Sequence, residues 1–348
     1  MNVRKELTKK LINENSSLRI DKFINQCLHN KNAYYFDNNP IGKTNDFVTA
    51  PEISQMFGEI IGLYILNYWL TKIGSRFNLI ELGPGKGTLL KDILRVSKIN
   101  NQFIKNAKIT LIDKNIKLIK LQKKVINSFD IKNVKWKEKF HLNSSLPSIV
   151  YSNEFFDCFA IRQFYKKKHW LEKFVKYNFN ENQFSLFDKI VTEKKIKKEL
   201  LKYNKYGVAE ISIEREKIFN NLCRHINKNK GMIITVDYGY NEMLKNFSLQ
   251  TVFRHKKTHL FENIGKQDIT SLVNFSEFIT IAKQNNLKID LYSSQKKFLN
   301  EYGISKRKNS LKVNQTLMKK KIIENQYKVL TDDKYMGNSF KVLIVSSK

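Results

Sequence analysis

An open, doubly wound α/β sheet of the Rossmann-like kind is the fold class this sequence predicts. Two observations predict it. Short apolar segments alternate with helical periods between about residues 77 and 153, and a glycine-rich turn closes the first of those segments. Alternation at that spacing marks parallel strands joined by helical crossovers. The 348 residues give room for one large α/β domain with insertions, and 41% hydrophobic with 12% aromatic residues is enough for a sizeable core.

Taken in order, residues 1–30 read as helical from Leu7, Leu11 and Ile12, then Ile20, Phe23, Ile24 and Leu28. A turn-rich stretch follows, Asp37-Asn38-Asn39-Pro40-Ile41-Gly42. Thr49 suits a helix N-cap and Pro51 its first turn, and the pattern carries that helix to about Ile73. Phe77-Asn78-Leu79-Ile80-Glu81-Leu82 is a first strand, and residues 88–96 are a helix. Lys108-Ile109-Thr110-Leu111-Ile112-Asp113 is a second strand, with a helix over 116–127. Val134-Lys135-Trp136 is a third strand and Ser148-Ile149-Val150-Tyr151-Ser152-Asn153 a fourth. Residues 170–179 and 183–190 alternate with period two around Asn180-Glu181-Asn182, which predicts a β-hairpin inserted after the fourth strand. A helix over 213–228 leads to a buried fifth strand, Gly231-Met232-Ile233-Ile234-Thr235-Val236-Asp237. A helix over 275–285, a strand over 287–292 and mostly helical residues 296–326 come next, and a strand over 340–345 is placed to close the sheet. The economical division is an N-terminal helical segment, residues 1–75, packing on a core of residues 76–348. Insertions fall at about 158–212, 245–272 and 293–335.

Bulk properties exclude several classes. No apolar run reaches the roughly 18 residues a membrane span needs, and the longest, 60–70, is interrupted by Asn67. The first residues lack an apolar signal core, and Glu6 argues against a transit peptide. Cys27, Cys158 and Cys223 lie far apart with no CxxC, so neither a disulfide framework nor a metal site is expected, and the chain fits a reducing compartment. The net charge is +31, yet only nine of the 63 basic residues are arginine. The lysines are dispersed in short clusters, Lys166 to Lys168, Lys194 to Lys198 and Lys319 to Lys321, with no basic-aromatic motif. That pattern is a solvated basic surface, and no specific nucleic-acid partner is expected.

Glu81-Leu82-Gly83-Pro84-Gly85-Lys86-Gly87 follows a strand and opens a helix. Gly83 and Gly85 permit a tight turn around Pro84, and Gly87 allows close packing at the helix start. The glycines recur every second residue and an acid precedes them, unlike the GxGxxG of dinucleotide sites. Glu81 would serve a pyrophosphate poorly and a ligand carrying an ammonium and a sulfonium well. Asp113, at the tip of the second strand, is placed to accept ribose hydroxyls or, alternatively, to cap the following helix. Ser152-Asn153-Glu154-Phe155-Phe156-Asp157 lies at the carboxyl end of the fourth strand, the edge where ligands of open α/β sheets sit.

These motifs are joined by Asp46-Phe47-Val48-Thr49-Ala50-Pro51-Glu52-Ile53-Ser54-Gln55-Met56-Phe57-Gly58-Glu59, by Gln163-Phe164, Asp237-Tyr238-Gly239-Tyr240, Arg254-His255 and Asp268-Ile269-Thr270, and by Val273-Asn274-Phe275. Together they make the chain resemble, from about Tyr34 to Val345, the MidA-type S-adenosylmethionine-dependent methyltransferases. That family includes mitochondrial complex I assembly-factor protein-arginine methyltransferases and their bacterial relatives. The resemblance implies S-adenosyl-L-methionine as cofactor and Glu81, Gly83, Gly85 and Asp113 as its contacts. It implies Thr49, Pro51, Glu52 and Ser54 as a wall of the site, beside Asn153, Glu154 and Asp157, which their place at the strand edge already turns toward the cofactor. It also implies a protein substrate methylated on arginine, in the cytoplasm of a bacterium or the mitochondrial matrix of a eukaryote. The chain departs from the family where Glu210-Ile211-Ser212-Ile213 replaces the usual Glu-x-Ser-Pro.

An arginine side chain is a poor nucleophile because its cation is delocalised and its pKa exceeds about 12. Carboxylates gripping two of its nitrogens orient the third and localise charge. Glu154 is the leading candidate, with Asp157, Glu210, Glu52 and Asp237 as possible partners. His255, on a polar loop, reads as a substrate or backbone contact rather than a base. An RNA or small-molecule methyltransferase, and a non-catalytic assembly factor that binds the cofactor, are the competing readings.

Overall fold

Burial sorts the strands. Phe77–Leu82 and Ser148–Asn153 are buried at all six of their residues, so both must lie inside a sheet covered on two faces. Val134–Lys137 and Lys288–Ser294 keep partly exposed residues, as edge strands do. The sheet has eight strands. Its main path runs Lys288–Ser294, Phe340–Ser346, Gly231–Tyr240, Ser148–Asn153, Phe77–Leu82, Ala107–Ile112, Val134–Lys137, and Val273–Asn274 pairs with the end of Gly231–Tyr240. The five strands from Gly231–Tyr240 to Val134–Lys137 are parallel. This is the doubly wound α/β fold expected, and its strand order reverses between Phe77–Leu82 and Ser148–Asn153, where a crevice opens. The structure, a computed structural model, describes residues 3–13, 17–30, 33–37, 48–129, 131, 134–141 and 144–348. The turn expected at Asn38 to Gly42 and the motif residues Asp46 and Phe47 lie outside the described residues. None of the described helices is long and apolar enough to cross a membrane.

Several elements differ from the sequence reading. The strand over 340–346 does not close the sheet at its edge. It lies between Gly231–Tyr240 and Lys288–Ser294, antiparallel to both, and all five residues from Val342 to Ser346 are buried. The helix expected from Thr49 to Ile73 is broken. Ala50–Ile53 is a single turn whose neighbour Thr49 makes no side-chain cap bond, and Ser54 sits in extended conformation. The Ser54 Oγ then accepts the amide of Met56 and starts a second helix, Gln55–Tyr68, which ends in the π-turn Trp69–Ile73. Gly58 and Gly62 lie one turn apart on that helix. A Cβ at Gly62 would stand 3.0 Å from the Cα of Ile93, so these glycines let Gln55–Tyr68 press against Thr88–Ser97.

The N-terminal segment also divides. Residues 50–69 join the core of the large sheet, with Met56, Phe57, Ile60 and Ile61 buried against Leu90 and Ile93. Residues 3–34 instead build a second apolar cluster with the inserted strands, in which Leu7, Phe23 and Leu28 meet Val175 and Phe184. The strand Ser17–Arg19 pairs antiparallel with Trp170–Asn178. That strand belongs to a five-stranded sheet with Arg162–Lys166, Gln183–Ile190 and Val208–Ile211. The inserted sheet stands over the crevice and gives it a second wall.

Candidate active site

A cleft of about 730 Å³ opens at the carboxyl ends of the parallel strands. Its floor is the glycine loop from Glu81 to Lys86 with Asp113, Asn153 and Glu154. One wall is Thr49, Pro51 and Glu52, and the other comes from the inserted sheet and its flanking helices.

The loop is folded by its glycines and clamped from outside. Gly83, Gly85 and Gly87 all have positive φ, of 61°, 53° and 84°. At Gly83 there is a further demand: a Cβ would stand 2.8 Å from the ring of Phe155, which comes from the opposite side of the crevice. Lys86 reaches the Glu52 carboxylate at 3.3 Å, and the Thr88 hydroxyl donates to the same group. The loop and the 49–52 wall are therefore one unit. Beneath it lies Gln122, fully buried, whose amide nitrogen donates to the carbonyl of Gly85 at 2.8 Å and to Asp113 Oδ2 at 2.7 Å. The Trp136 indole donates to Gln122 Oε1 at 2.9 Å, which fixes the way the amide faces. Gln122 was missed in the sequence. Its signal was there: it shares a face with Leu118 and Ile126, a lone polar residue on an apolar stripe.

Four acids share this region, with different duties. Glu81 is buried, and burial pushes its pKa up to about 8 against a 3.1 Å hydrogen bond from the Tyr151 hydroxyl. Asp113 is also shifted up by burial, and its Oδ1 accepts the amide of Asn115 at 2.9 Å. It does not cap the next helix; the Asn115 side chain does, accepting from Lys117 and Leu118. Glu154 lines the cleft with φ of 50°, a conformation rare outside glycine. Its Oε1 accepts the amide of Ala50 at 3.1 Å and Asn153 Nδ2 at 2.9 Å. Burial, aided by the charge of Asp157, raises its pKa to about 8. Asp237 serves the backbone, because its Oδ2 accepts the amides of Phe155 at 3.2 Å and Phe156 at 2.8 Å.

Of the residues expected in the site, Thr49, Pro51, Glu81, Gly83, Pro84, Gly85, Asp113, Asn153 and Glu154 line the cleft together. Ser54, Gly87, Asp157 and Glu210 do not. Ser54 is spent on its cap, and Gly87 begins the helix Thr88–Ser97 with its α-carbon packed over Gln122. Glu210 is buried in the inserted sheet, where its carboxylate accepts Gln163 Nε2 at 2.7 Å, the Ser248 amide at 3.0 Å and the Ser248 hydroxyl. Gln163 and Glu210 face each other across paired strands, so this acid ties the sheet to the 248 loop. Asp157 has its pKa raised to about 6 by burial, opposed by the Arg215 charge. The Arg215 guanidinium binds the carbonyls of Phe156 and Leu272 at 2.8 and 3.0 Å and so pins the turn after Glu154. His29 and Tyr35 also line the cleft, stacked with ring centroids 5.7 Å apart. Burial lowers the His29 pKa to about 4, so that ring is neutral. No group of three or more potential ligands could hold a metal ion among the described residues.

A ligand with a positive head suits this cleft. Among the described residues, Glu81 is desolvated with no cationic partner, and the buried Asn153 Oδ1 accepts no hydrogen bond. Residues 60–293 match the model of a family described as S-adenosyl-L-methionine-dependent methyltransferases. The chain is 28% identical to the mitochondrial protein arginine methyltransferase NDUFAF7 homolog of Caenorhabditis elegans, covering 88% of this chain and 76% of that protein. It is 25% identical to human mitochondrial NDUFAF7, with 94% and 80% covered. Among solved structures, a COG1565 superfamily member from Burkholderia thailandensis bound to S-adenosyl-homocysteine shares the fold, with a TM-score of 0.87 and 20% identity over 99% of this chain and 91% of that one. The match over two thirds of the chain makes this protein a member of that family of S-adenosyl-L-methionine-dependent methyltransferases.

Proposed function

We propose that the chain methylates a guanidinium nitrogen of arginine in a protein, and that a subunit of the respiratory NADH dehydrogenase is its substrate. The observation that carries the reading is Glu154, a desolvated carboxylate in the cleft wall, held by the Ala50 amide and Asn153 beside the glycine loop. The curated relatives named as protein arginine methyltransferases, similar over most of the chain, support it. The place of action in this reading is a bacterial cytoplasm or a mitochondrial matrix.

When bound, S-adenosyl-L-methionine supplies a methyl group activated by its sulfonium. Glu81 would neutralise the ammonium end of that ligand, Asp113 would accept from its ribose, and Asn153 Oδ1 would take a donor. The protein's task on the acceptor side is alignment, which is worth ~7–11 kcal/mol of barrier when reactants are held in line. Glu154 Oε2 would grip the guanidinium and localise its charge away from the attacking nitrogen. On taking the methyl group, whose bonding pair would stay with the sulfur, the acceptor nitrogen would lose a proton. A carboxylate with a pKa near 8 is basic enough to take it. Phe155 and Phe159, packed with centroids 5.2 Å apart, line the cleft and keep water from the reacting atoms.

The test is tritiated methyl transfer into lysate, followed by protease or nuclease digestion and then by mass spectrometry of NADH dehydrogenase subunits from cells with and without the protein. Label released by protease and a subunit arginine methylated only in its presence support the proposal. Label released by nuclease, or found in small molecules, overturns it.

A further inference from the structure

The helices Ile304–Lys312 and Leu317–Thr331 form a hairpin that the methyl-transfer chemistry does not use, since none of its residues lines the cleft. The tip of this hairpin is unusual. Val313, Leu317 and Met318 are 62%, 80% and 75% exposed, and all three fall within six residues. Other large side chains as exposed, Ile99, Ile116 and Leu201, are scattered through the sequence. Thr316 caps the second helix, which sets Leu317 and Met318 rigidly at its first positions. Met318 and Ile322 lie one turn apart on one exposed face, and Leu317 and Lys321 share the neighbouring one.

The charge around the tip departs from the dispersed basic surface of the rest of the chain. Residues 302–323 carry seven basic side chains and no acid, the longest acid-free stretch in the sequence. Lys308 and Lys312 are drawn back along the hairpin to Glu324 at 2.8 and 2.9 Å. Lys319, Lys320 and Lys321 follow the apolar tip directly.

We propose that this hairpin tip docks the protein on an anionic phospholipid surface, with Val313, Leu317 and Met318 entering the acyl boundary and the lysines reaching the headgroups. Aliphatic side chains gain from leaving water for lipid, and long lysine stems let the ammonium groups stay at the interface. A nucleic-acid strand would match the charge but gives aliphatic residues nothing to stack on, and recognition of single strands relies on aromatic side chains. The contact is peripheral, since the hairpin is too short and too charged to span.

Co-sedimentation of the full chain with vesicles tests this. Wild type should pellet with equimolar phosphatidylcholine and phosphatidylglycerol, remain in solution with phosphatidylcholine alone, and be released by salt. Leu317→Ser combined with Met318→Ser should weaken partitioning on the order of tenfold or more. Each of Lys319→Gln, Lys320→Gln and Lys321→Gln should weaken it about fivefold. Leu317, Met318, Lys319 and Lys321 are exposed and Lys320 is half-buried, all remote from the cleft, so melting temperature and cofactor affinity should stay at wild-type values. Failure of wild type to pellet overturns the proposal. So does undiminished pelleting of the double serine variant, or tight RNA binding that the serine changes do not affect, because either would reduce the tip to a contact for any polyanion.

Discussion

At the scale of single residues, the proposed chemistry rests on Glu154. Glu154→Gln keeps the shape and the hydrogen bonds from Ala50 and Asn153 while removing the charge. Methyl transfer should fall by a factor on the order of 10² or more, with S-adenosyl-homocysteine affinity nearly unchanged by calorimetry. Full turnover in this variant would move the acceptor site to another acid. Glu81 makes a separate prediction through pH. Its carboxyl titrates near 4.5 in the unfolded chain and near 8 in the folded one, raised by burial. Between those values the unfolded chain gives up a proton that the folded chain keeps. Stability of the cofactor-free protein therefore falls as pH rises from about 4.5 to about 8, and Glu154 acts in the same direction. Glu81→Gln should flatten part of that slope and raise the melting temperature at pH 8, even as it weakens cofactor binding. A steeper slope in the variant would mean that Glu81 is ionised in the folded protein. Much at this scale was legible in the sequence. Glu81, Asp113 and Glu154 could be named because each ends a strand at the edge where ligands sit. Glu210 misled because a motif position says nothing about which side of an inserted strand faces the cleft. Its carboxylate points to Gln163 and Ser248.

Between residues and the molecule stand the turns that join one element to the next. The glycine loop and the turn after Ser148–Asn153 meet at Gly83 and Phe155, both of which line the cleft. Gly83→Ala would force a left-handed conformation on an L-residue, at a cost of about 1–2 kcal/mol. It would also push its methyl to within 2.8 Å of the Phe155 ring. Phe155 should swing into the cleft, so urea denaturation should show a modest loss while S-adenosyl-homocysteine affinity drops at least tenfold, or about 1.4 kcal/mol. Unaltered affinity would show that Phe155 yields elsewhere. Periodicity found nearly every strand and helix of the large sheet. It did not find the break at Ser54, because Gln55–Tyr68 continues the apolar spacing of the turn before it and only the extended backbone at Ser54 reveals the stop. The place of Phe340–Ser346 inside the sheet was equally hidden, since the apolar run Val342 to Val345 reads the same at an edge position and an interior one.

For the whole molecule, the decisive arrangement is two apolar cores facing one cleft. Phe23, fully buried, packs edge-on to Phe261 at 5.5 Å and tilted against Phe184 at 5.9 Å, joining the N-terminal helix to the insertions at about 158–212 and 245–272. Phe23→Ala should cost ~3–5 kcal/mol where its cluster melts. That cluster lies under the wall opposite the glycine loop, so acceptor methylation should weaken before cofactor affinity does. Parallel loss of both would mean that the two cores unfold as one. Sequence could not foresee this division, because the contacts joining residues 3–34 to Val175, Phe184 and Ile264 span well over a hundred residues of chain. The interior position of Phe340–Ser346 has its own outcome during synthesis. One edge of Gly231–Tyr240 has no neighbour until about a hundred more residues have been made, and at roughly 5–20 residues per second that interval is about 5–20 seconds. For that time a nascent chain displays an open strand edge of unpaired backbone N–H and C=O groups beside mostly apolar side chains, the kind of surface that molecular chaperones shield. Asp237, which fastens the turn bearing Glu154, sits on that same strand. The turn bearing Glu154 thus takes its final form among the last parts of the protein to set.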